Sequence, residues 1–226
     1  MSSGLFRAIK SKPKVDTRQP ALIEGLPNAL PASKARRVEK DYYPTGEPEA
    51  ILSLLHADGD RIKEGSSVWE PACGKGDMVR QIRDFGIPCC ASDLEDRGCP
   101  DSWTADYYSC RRSRCKSIIT NPPYCEINSR GHGRWLRHTL EMPDWDYLAL
   151  LLSWDWPAAK MNGMGRLLDE NPFSYCYLMR WRLDFTGEGS PPSCHAWFVW
   201  DKKSDLNKKM IFMDRHDPRQ GDLLDG

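Results

Sequence analysis

Residues Asn121, Pro122, Pro123 and Tyr124 combine groups that can hold an amino group on a flat ring. The Asn121 side chain offers a carbonyl oxygen. Pro122 helps to present a backbone carbonyl without a competing amide hydrogen, because proline lacks a backbone N–H. Two acceptors aimed at one NH₂ group would hold both hydrogens and direct the nitrogen lone pair toward a sulfonium methyl. Tyr124 offers a face on which a planar ring can stack, and Pro123 stiffens the turn.

Chemistry of this kind requires no strong general base. The amino nitrogen attacks the methyl carbon in line and the proton leaves afterwards, so positioning and polarisation supply most of the catalysis. The alternative for the same four residues is an ordinary turn at the end of a strand, because Asn-Pro is common in turns.

The segment "VWEPACGKGD" predicts a site for a nucleoside-like ligand that carries positive charge. Gly74 and Gly76 let the backbone bend sharply and approach a ligand closely. The spacing differs from the phosphate-binding GxxxxGK[ST] pattern and is shorter than GxGxxG. Glu70 precedes the loop, and Asp93 ends the next predicted strand about twenty residues on, where nucleotide-binding folds place a ribose ligand. Acids at these places favour an adenosine bearing a sulfonium and an amino acid; the alternative is a plain strand–helix turn.

Hydrophobic periodicity and turn residues predict the elements that must position these side chains. Strands are predicted in "GSSVWE", "IPCCASD", "SWTADYYS", "KSIIT", "DWDYLALLLSW", "SYCYLMRWRLDF" and "CHAWFVWDKK". Helices are predicted in "TGEPEAILSLLHA", after the glycine loop, in "GRWLRHTLEM" and, opened by Pro157, in "PAAKMNGMGRLLDE". The pattern predicts an α/β fold: a mainly parallel seven-stranded sheet with an antiparallel final hairpin and helices on both faces. Ligands bind such a sheet at the carboxyl ends of its strands.

The length of 226 residues suits one α/β domain. Residues 1–40 are rich in basic residues and proline and predict a flexible basic arm, residues 41–203 the folded domain, and residues 204–226 a polar C-terminal tail. A second basic cluster, "RRSRCK" at 111–116, is an ordinary solvated face unless it lies beside a site for a polyanion.

Charged residues make up 28% of the chain, hydrophobic residues 40%, and the net charge is zero. No apolar run has the length of a membrane span, and the N-terminus lacks the apolar core of a signal peptide. We therefore expect a cytoplasmic protein with no membrane partner. Its nine cysteines are expected to be reduced. Zinc binding is the less favoured alternative, because the loose cluster Cys99, Cys110, Cys115 and Cys125 has no CxxC pair.

The pair of motifs "EPACGKG" and "NPPY" resembles the class I S-adenosylmethionine-dependent methyltransferases that modify exocyclic amino groups, above all the N6-adenine DNA methyltransferases of phage and prophage type. Upstream, "DYYPTGEPEAILSLL" resembles the N-terminal motif of that family, and "RWRLDF…CHAWFVW" resembles its closing hairpin. The resemblance covers about residues 40 to 201. It implies a Rossmann-like fold, S-adenosylmethionine as cofactor, double-stranded DNA as substrate, and a bacterial or phage-infected cell.

The resemblance also implies roles for particular residues. Tyr43, Pro44 and Thr45 would line the methionine end of the cofactor, Asp93 would bind its ribose, and Asp106 would lie near its adenine amino group. The full set of implied cofactor-binding residues is Tyr43, Pro44, Thr45, Glu70, Pro71, Ala72, Cys73, Gly74, Gly76, Asp93, Leu94, Asp106, Tyr107 and Asn121. The implied catalytic residues are Asn121, Pro122, Pro123 and Tyr124, and no metal is expected.

The chain departs from the family in one respect. Restriction-type members carry a target-recognition domain, whereas only about fifty residues separate the glycine loop from "NPPY" here. Sequence selection would then be weak, or would come from the short loops "CEINSRGHGR" and "TGEGSPPS". The motif order also fits RNA and protein-glutamine methyltransferases. The motifs do not distinguish adenine N6 from cytosine N4, and a non-catalytic cofactor- or nucleic-acid-binding relative is the third alternative. Oligomeric state is left open.

Other side chains have two interpretations each. Trp154 either packs or walls a base pocket, and His195 is more readily a structural histidine than a catalyst. Arg130, Arg134 and Arg137 flank the helix after "NPPY" and either contact phosphates or form a solvated face.

Overall fold

Eight strands form one sheet in this computed structural model, which describes residues 47–185, 189 and 193–215. The strands are β1 Val68–Glu70, β2 Cys89–Asp93, β3 Ser102–Thr104, β4 Ser117–Thr120, β5 Tyr147–Ser153, β6 Tyr175–Met179, β7 His195–Asp201 and β8 Lys209–Met213. Their order across the sheet is β3-β2-β1-β4-β5-β7-β6-β8. The basic arm 1–40 and the residues Tyr43, Pro44 and Thr45 lie outside the described residues.

The sheet is mainly parallel, as predicted. Neighbouring strands from β3 to β5 pair in parallel, whereas β7 runs antiparallel to both β5 and β6. The antiparallel late hairpin is thereby confirmed. The sheet differs from the prediction in its last strand, β8, which pairs in parallel with β6. This strand falls within the segment expected to be a polar tail, so the tail prediction is wrong for residues 209–213, and the described residues form eight strands rather than seven. Only Met213 of β8 is buried, and such an exposed edge strand has little hydrophobic signal.

Helices cover both faces of the sheet in the described part of the chain. They are α1 Pro48–Lys63, α2 Asp77–Asp84, α3 Tyr124–Ile127, α4 Arg134–Glu141 and α5 Met164–Glu170. Buried side chains of α1 and α2 pack in one hydrophobic cluster, and those of α4 and α5 pack in a second cluster on the opposite face. None of these helices combines the length and the apolar character that a membrane crossing requires.

The last helix begins later than predicted. A helix opened by Pro157 was expected, but Trp156–Ala158 forms only a short 3-10 turn and α5 begins at Met164. Asn162 (φ 55°) and Gly163 (φ 80°) adopt left-handed conformations that a right-handed helix cannot include. The prediction of one continuous helix from Pro157 is therefore wrong.

Helix α1 is fixed to the sheet by buried polar contacts. Asp58 accepts hydrogen bonds from the hydroxyl groups of Tyr147 (2.7 Å), Tyr175 (2.9 Å) and Tyr177 (2.6 Å), which lie on β5 and β6. Trp197, which is fully buried in β7, donates through Nε1 to the backbone oxygen of Ala50 at 2.8 Å. These polar contacts and the buried apolar side chains of α1 together hold the helix against the sheet.

The two ends of the described chain lie together. Arg215 follows β8 and pairs with Glu47 (Nη2 to Oε2, 3.2 Å), which directly precedes α1. The Ser53 hydroxyl donates to the backbone oxygen of Asp214 at 3.5 Å. The start of α1 and the segment that follows β8 therefore lie side by side.

Candidate active site

A cleft of about 460 Å³ opens at the carboxyl ends of the parallel strands. It brings together residues from the loops after β1, β2, β3 and β4, as an open parallel sheet requires. The predicted site residues that line the cleft are Pro71, Ala72, Cys73, Gly74, Asp93, Leu94, Asp106, Tyr107, Asn121 and Pro123. The cleft is also lined by Lys75, Asp77, Met78, Arg97, Ala105, Tyr108, Cys125, Glu126, Arg134 and Trp135.

The glycine loop has the conformation for which glycine is suited. Gly74 (φ 55°) and Gly76 (φ 84°) are both left-handed. A Cβ atom on Gly76 would lie 2.6 Å from Sγ of Cys99, too close for any side chain. The Gly74 N–H donates to Oδ2 of Asp93 at 2.9 Å, which ties the loop to the end of β2. Gly76 directly precedes α2 and is not among the residues that line the cleft.

Glu70 lies beneath this loop and is fully buried. Its Oε1 accepts a hydrogen bond from the Ala72 N–H at 3.0 Å. Burial raises the pKa of Glu70 to about 8, against opposing contributions from the Thr120 hydroxyl and the Ala72 N–H. Thr120 is close enough to lower this pKa, yet neither Glu70 Oε2 nor Thr120 Oγ1 meets hydrogen-bond geometry with any group in the described residues. Glu70 Oε2 is therefore a buried oxygen for which the described residues supply no hydrogen-bond partner.

Asp93 occupies the end of β2, as predicted. Besides the contact with Gly74, its Oδ1 accepts from the Glu95 N–H at 3.1 Å and faces Nε of Arg97 at 3.6 Å. Next to it, Leu94 exposes 58% of its surface, although large apolar side chains are usually covered. A carboxylate beside an open apolar side chain matches the ribose and the base of a nucleoside.

The loop after β3 supplies a second acid and an aromatic stack. Asp106 is exposed, and its Oδ1 accepts from the Tyr108 N–H at 3.0 Å, which leaves Oδ2 available to a ligand. Tyr107 is buried and stacks on Trp135 with ring centroids 3.9 Å apart and an interplanar angle of 13°. Its hydroxyl and Oγ1 of Thr139 lie 2.6 Å apart. Tyr107 thus contributes a rigid wall rather than a mobile ring.

The segment 121–124 follows β4 directly, and only part of it faces the cleft. Asn121 and Pro123 line the cleft, whereas Pro122 is buried. Tyr124 begins α3 and packs half-buried against the hydrophobic cluster formed by α4 and α5. Asn121 and Pro123 therefore form the β4 side of the cleft. Tyr124 is not among the lining residues, and its stacking role stays a prediction.

Two residues that the sequence did not single out, Tyr108 and Glu126, form a cluster at this cleft with Arg134, which was predicted either to contact phosphates or to form a solvated face. The Tyr108 hydroxyl donates to Oε2 of Glu126 at 2.9 Å, and Nη1 of Arg134 lies 3.7 Å from the same oxygen. The Arg134 guanidinium carbon stands 3.6 Å from the centroid of the Tyr108 ring. We call Tyr108, Glu126 and Arg134 the mouth cluster. No sequence spacing indicates it, because its members come from the β3 loop, α3 and α4.

The remaining candidates are placed as follows. His195 is buried at the start of β7, where burial lowers its pKa to about 4 and keeps the ring neutral. Arg137 donates to the backbone oxygens of His132 (2.8 Å) and Gly163 (3.2 Å), so this arginine joins two loops. All nine cysteines are free thiols, and in the described residues no group of three or more metal-binding side chains comes together.

The basic cluster 111–116 lies away from the cleft. It immediately precedes β4 and so lies at the amino ends of the strands, at the opposite edge of the sheet. Arg112 pairs with Asp144 (Nη2 to Oδ2, 2.6 Å) and Lys116 with Asp146 (Nζ to Oδ2, 3.7 Å). The ordinary interpretation of a solvated face therefore fits this cluster.

Comparison by sequence finds no match to a family model and none to a curated protein. Comparison by structure does find similar folds. A Listeria monocytogenes protein assigned to the class I S-adenosylmethionine-dependent methyltransferases superimposes with a TM-score of 0.56 and 10% identity, over 83% of this chain and 72% of that one.

Two further structures are similar over part of their length. A modification subunit assigned to a type I restriction enzyme of Vibrio vulnificus gives a TM-score of 0.52 at 11% identity, over 78% of this chain and 48% of that one. The DrdV–DNA complex gives 0.52 at 11% identity, over 77% and 28%. At such identities the likeness establishes the fold, which is the Rossmann-like class I methyltransferase fold that was predicted.

Proposed function

We propose that this protein transfers a methyl group from S-adenosylmethionine to an exocyclic amino nitrogen of a nucleobase, with adenine N6 in DNA as the favoured acceptor. One observation carries the proposal: Asn121 and Pro123 line the same cleft as the glycine loop and Asp93. The residues suited to an amino group and those suited to a nucleoside therefore meet at one place.

The cleft residues fit the cofactor chemically. Asp93 would accept hydrogen bonds from the ribose hydroxyls, Oδ2 of Asp106 from the adenine amino group, and Leu94 would cover a face of the base. Glu70 lies under the glycine loop rather than in the cleft lining, and a positively charged ligand bound above it would favour loss of its proton. The cofactor supplies an electrophilic methyl group on a sulfonium.

The chain's own part in the reaction is to hold and polarise the acceptor. The Asn121 side-chain oxygen and the Pro122 carbonyl would accept the two amino hydrogens, which orients the nitrogen lone pair. Tyr124 would support the flat ring by stacking. The proton leaves to solvent after transfer, so no residue needs to act as a strong base.

A nucleic acid is favoured as the polymer by the sequence resemblance. Two structural neighbours also point to it by their descriptions, one as a restriction-enzyme modification subunit and the other as a complex with DNA. RNA or a protein glutamine would present the same kind of planar amide or amine on this fold. A cofactor-binding relative without turnover is the remaining alternative.

The proposal is tested by incubating the protein with tritiated S-adenosylmethionine in three parallel reactions, which contain unmethylated DNA, RNA or a mixture of proteins as the acceptor. We expect label in DNA, and nucleoside digestion should yield N6-methyladenine. Asn121→Ala should reduce the label at least about a hundredfold, because an acceptor of the reacting amine is lost. The matched control is Asn171→Ala, whose amide lies outside the cleft at the end of α5. Label only in RNA or protein, or undiminished label with Asn121→Ala, contradicts the proposal.

A further inference from the structure

Two segments beside the predicted acceptor site are joined into one surface, which we call the two-loop ridge: residues 128–137, a loop with the first turn of α4, and residues 154–163. Trp156 donates through Nε1 to the Ile127 backbone oxygen at 3.0 Å, and Nδ2 of Asn162 donates to the Ser129 oxygen at 2.7 Å. Arg137 also joins the two segments, because its Nη2 donates to the Gly163 backbone oxygen. The first loop follows α3, which begins at Tyr124, and the second follows β5, the neighbour of β4. The ridge thus stands at the carboxyl edge of the sheet, next to the segment 121–124.

The ridge exposes large apolar side chains to solvent. Met161 is 72% exposed and Trp154 is 39% exposed. The other exposed large hydrophobics of the described residues lie elsewhere: Leu94 in the cleft, and Leu206, Met210 and Phe212 near β8 and within it. Asn162, directly after Met161, has a left-handed backbone (φ 55°), which asparagine adopts more readily than most residues.

The ridge is also positively charged, although the chain as a whole is neutral. Its four cations are Arg130, Arg134, Arg137 and Lys160, and its one acid is Asp155. Arg137 is used to join the loops and Arg134 belongs to the mouth cluster. Arg130 and Lys160 are exposed and remain for an outside partner. The cluster 111–116, in contrast, pairs Arg112 and Lys116 with its own acids at the far edge.

We infer that the two-loop ridge is the surface that docks the nucleic-acid strand around the base being modified. Arg130 and Lys160 contact phosphates on that strand, which fixes its position without reading sequence. Met161 and Trp154 contact the bases or sugars that become accessible when the target base leaves the stack, as apolar side chains do in proteins that unstack DNA. This inference rests on the proposed function and names the surface through which that function acquires its polymer.

Equilibrium binding of fluorescein-labelled duplex and single-stranded DNA tests the charged half of the ridge. The measurement is fluorescence anisotropy at several salt concentrations, with S-adenosylhomocysteine present. The double variant Arg130→Ala/Lys160→Ala should bind about tenfold or more weakly at low salt. The slope of its log K against log salt should become less steep, by the amount expected for the loss of roughly two phosphate contacts.

The matched control is Arg112→Ala/Lys116→Ala, which removes the same charge from the opposite edge and should change the Kd less than about twofold. Equal weakening by both double variants would mean a general charge effect and would overturn the inference. Unchanged binding by the ridge variant would overturn it too, as would a wild-type protein that binds neither DNA form.

Steady-state methylation tests the apolar half. Met161→Ala and Trp154→Ala should each raise the KM for DNA by about fivefold or more, through lost contact with unstacked bases, with the cofactor Kd unchanged. Met210→Ala, an exposed methionine on β8, serves as control and should leave the KM for DNA unchanged. If the wild-type protein methylates DNA and the ridge variants have an unaltered KM for DNA, this inference is contradicted and the proposed function is not. Wild-type protein that labels no nucleic acid would instead defeat the proposed function.

Discussion

Glu70 is the residue whose environment departs furthest from its ordinary chemistry. It has no solvent contact, and burial raises its pKa to about 8. Because the folded-state pKa lies above the unfolded value, the carboxyl is protonated in both states at low pH, and its ionisation then costs the fold no stability. Its cost to stability grows as the pH rises from about 4.5 toward 8. The group is therefore largely protonated in the free protein at neutral pH.

The first prediction concerns the proton that Glu70 carries at neutral pH. Glu70→Gln keeps the shape and removes the titration, so its Tm relative to wild type should increase as the pH is raised from 5 to 8. Thermal unfolding at several pH values measures this difference. Asp60→Asn, on the exposed side of α1, is the control and should show no such trend. A difference in Tm that is the same at every pH would refute the assignment.

The second prediction concerns the mouth cluster. Glu126 anchors α3, a helix too short to be stable alone, to the β3 loop and to α4. Glu126→Ala and Tyr108→Phe should each lower kcat by about tenfold, since a hydrogen bond to a charged group contributes about 1.5–3 kcal/mol. The double variant should be little worse than Glu126→Ala alone, because both changes remove the hydrogen bond between Tyr108 and Glu126. Steady-state kinetics measure this, with the exposed Glu141→Ala as control; fully additive losses would speak against one shared contact.

At the scale of elements, α1 depends on one carboxylate. Asp58 accepts from three tyrosines on β5 and β6, so Asp58→Ala leaves three buried hydroxyl groups without their acceptor. We predict a loss of about 3–5 kcal/mol in the free energy of unfolding, as each unpaired buried donor costs about 1–3 kcal/mol. Tyr175→Phe removes one donor and should cost only about 1 kcal/mol. Urea denaturation compares the free energies of unfolding of the two variants, and a loss for Asp58→Ala no larger than that for Tyr175→Phe would contradict the prediction.

The same scale explains what the sequence could and could not predict. The strands that lead to the cleft were identifiable because "SIIT" and "YLALLLS" are apolar runs that end in turn residues. Strand β8 was missed because its exposed face resembles a tail, and the helix at Pro157 was misplaced because Asn162 gives no signal of its left-handed backbone. The mouth cluster depends on which loops the sheet order brings together, and local sequence carries no record of that order.

At the scale of the whole molecule, the cleft joins four strand ends and should couple ligand binding to global stability. S-adenosylhomocysteine at a hundred times its Kd should add about 2.7 kcal/mol and raise the Tm by roughly 5–10 °C. Differential scanning calorimetry measures the shift, and adenosine diphosphate is the control ligand, because the acids beside the loop disfavour phosphates. A larger shift with the diphosphate would assign the cleft to another class of nucleotide.

The contact between Glu47 and Arg215 has a consequence for how this domain can be combined with others. A segment cut at two residues that touch can be inserted into a surface loop of a host protein with little displacement of the host's own chain. The same adjacency allows circular permutation: a short linker can join the two points while new ends open in an exposed loop. Strand β8, the last strand of the described residues, then becomes an internal strand of the rearranged chain.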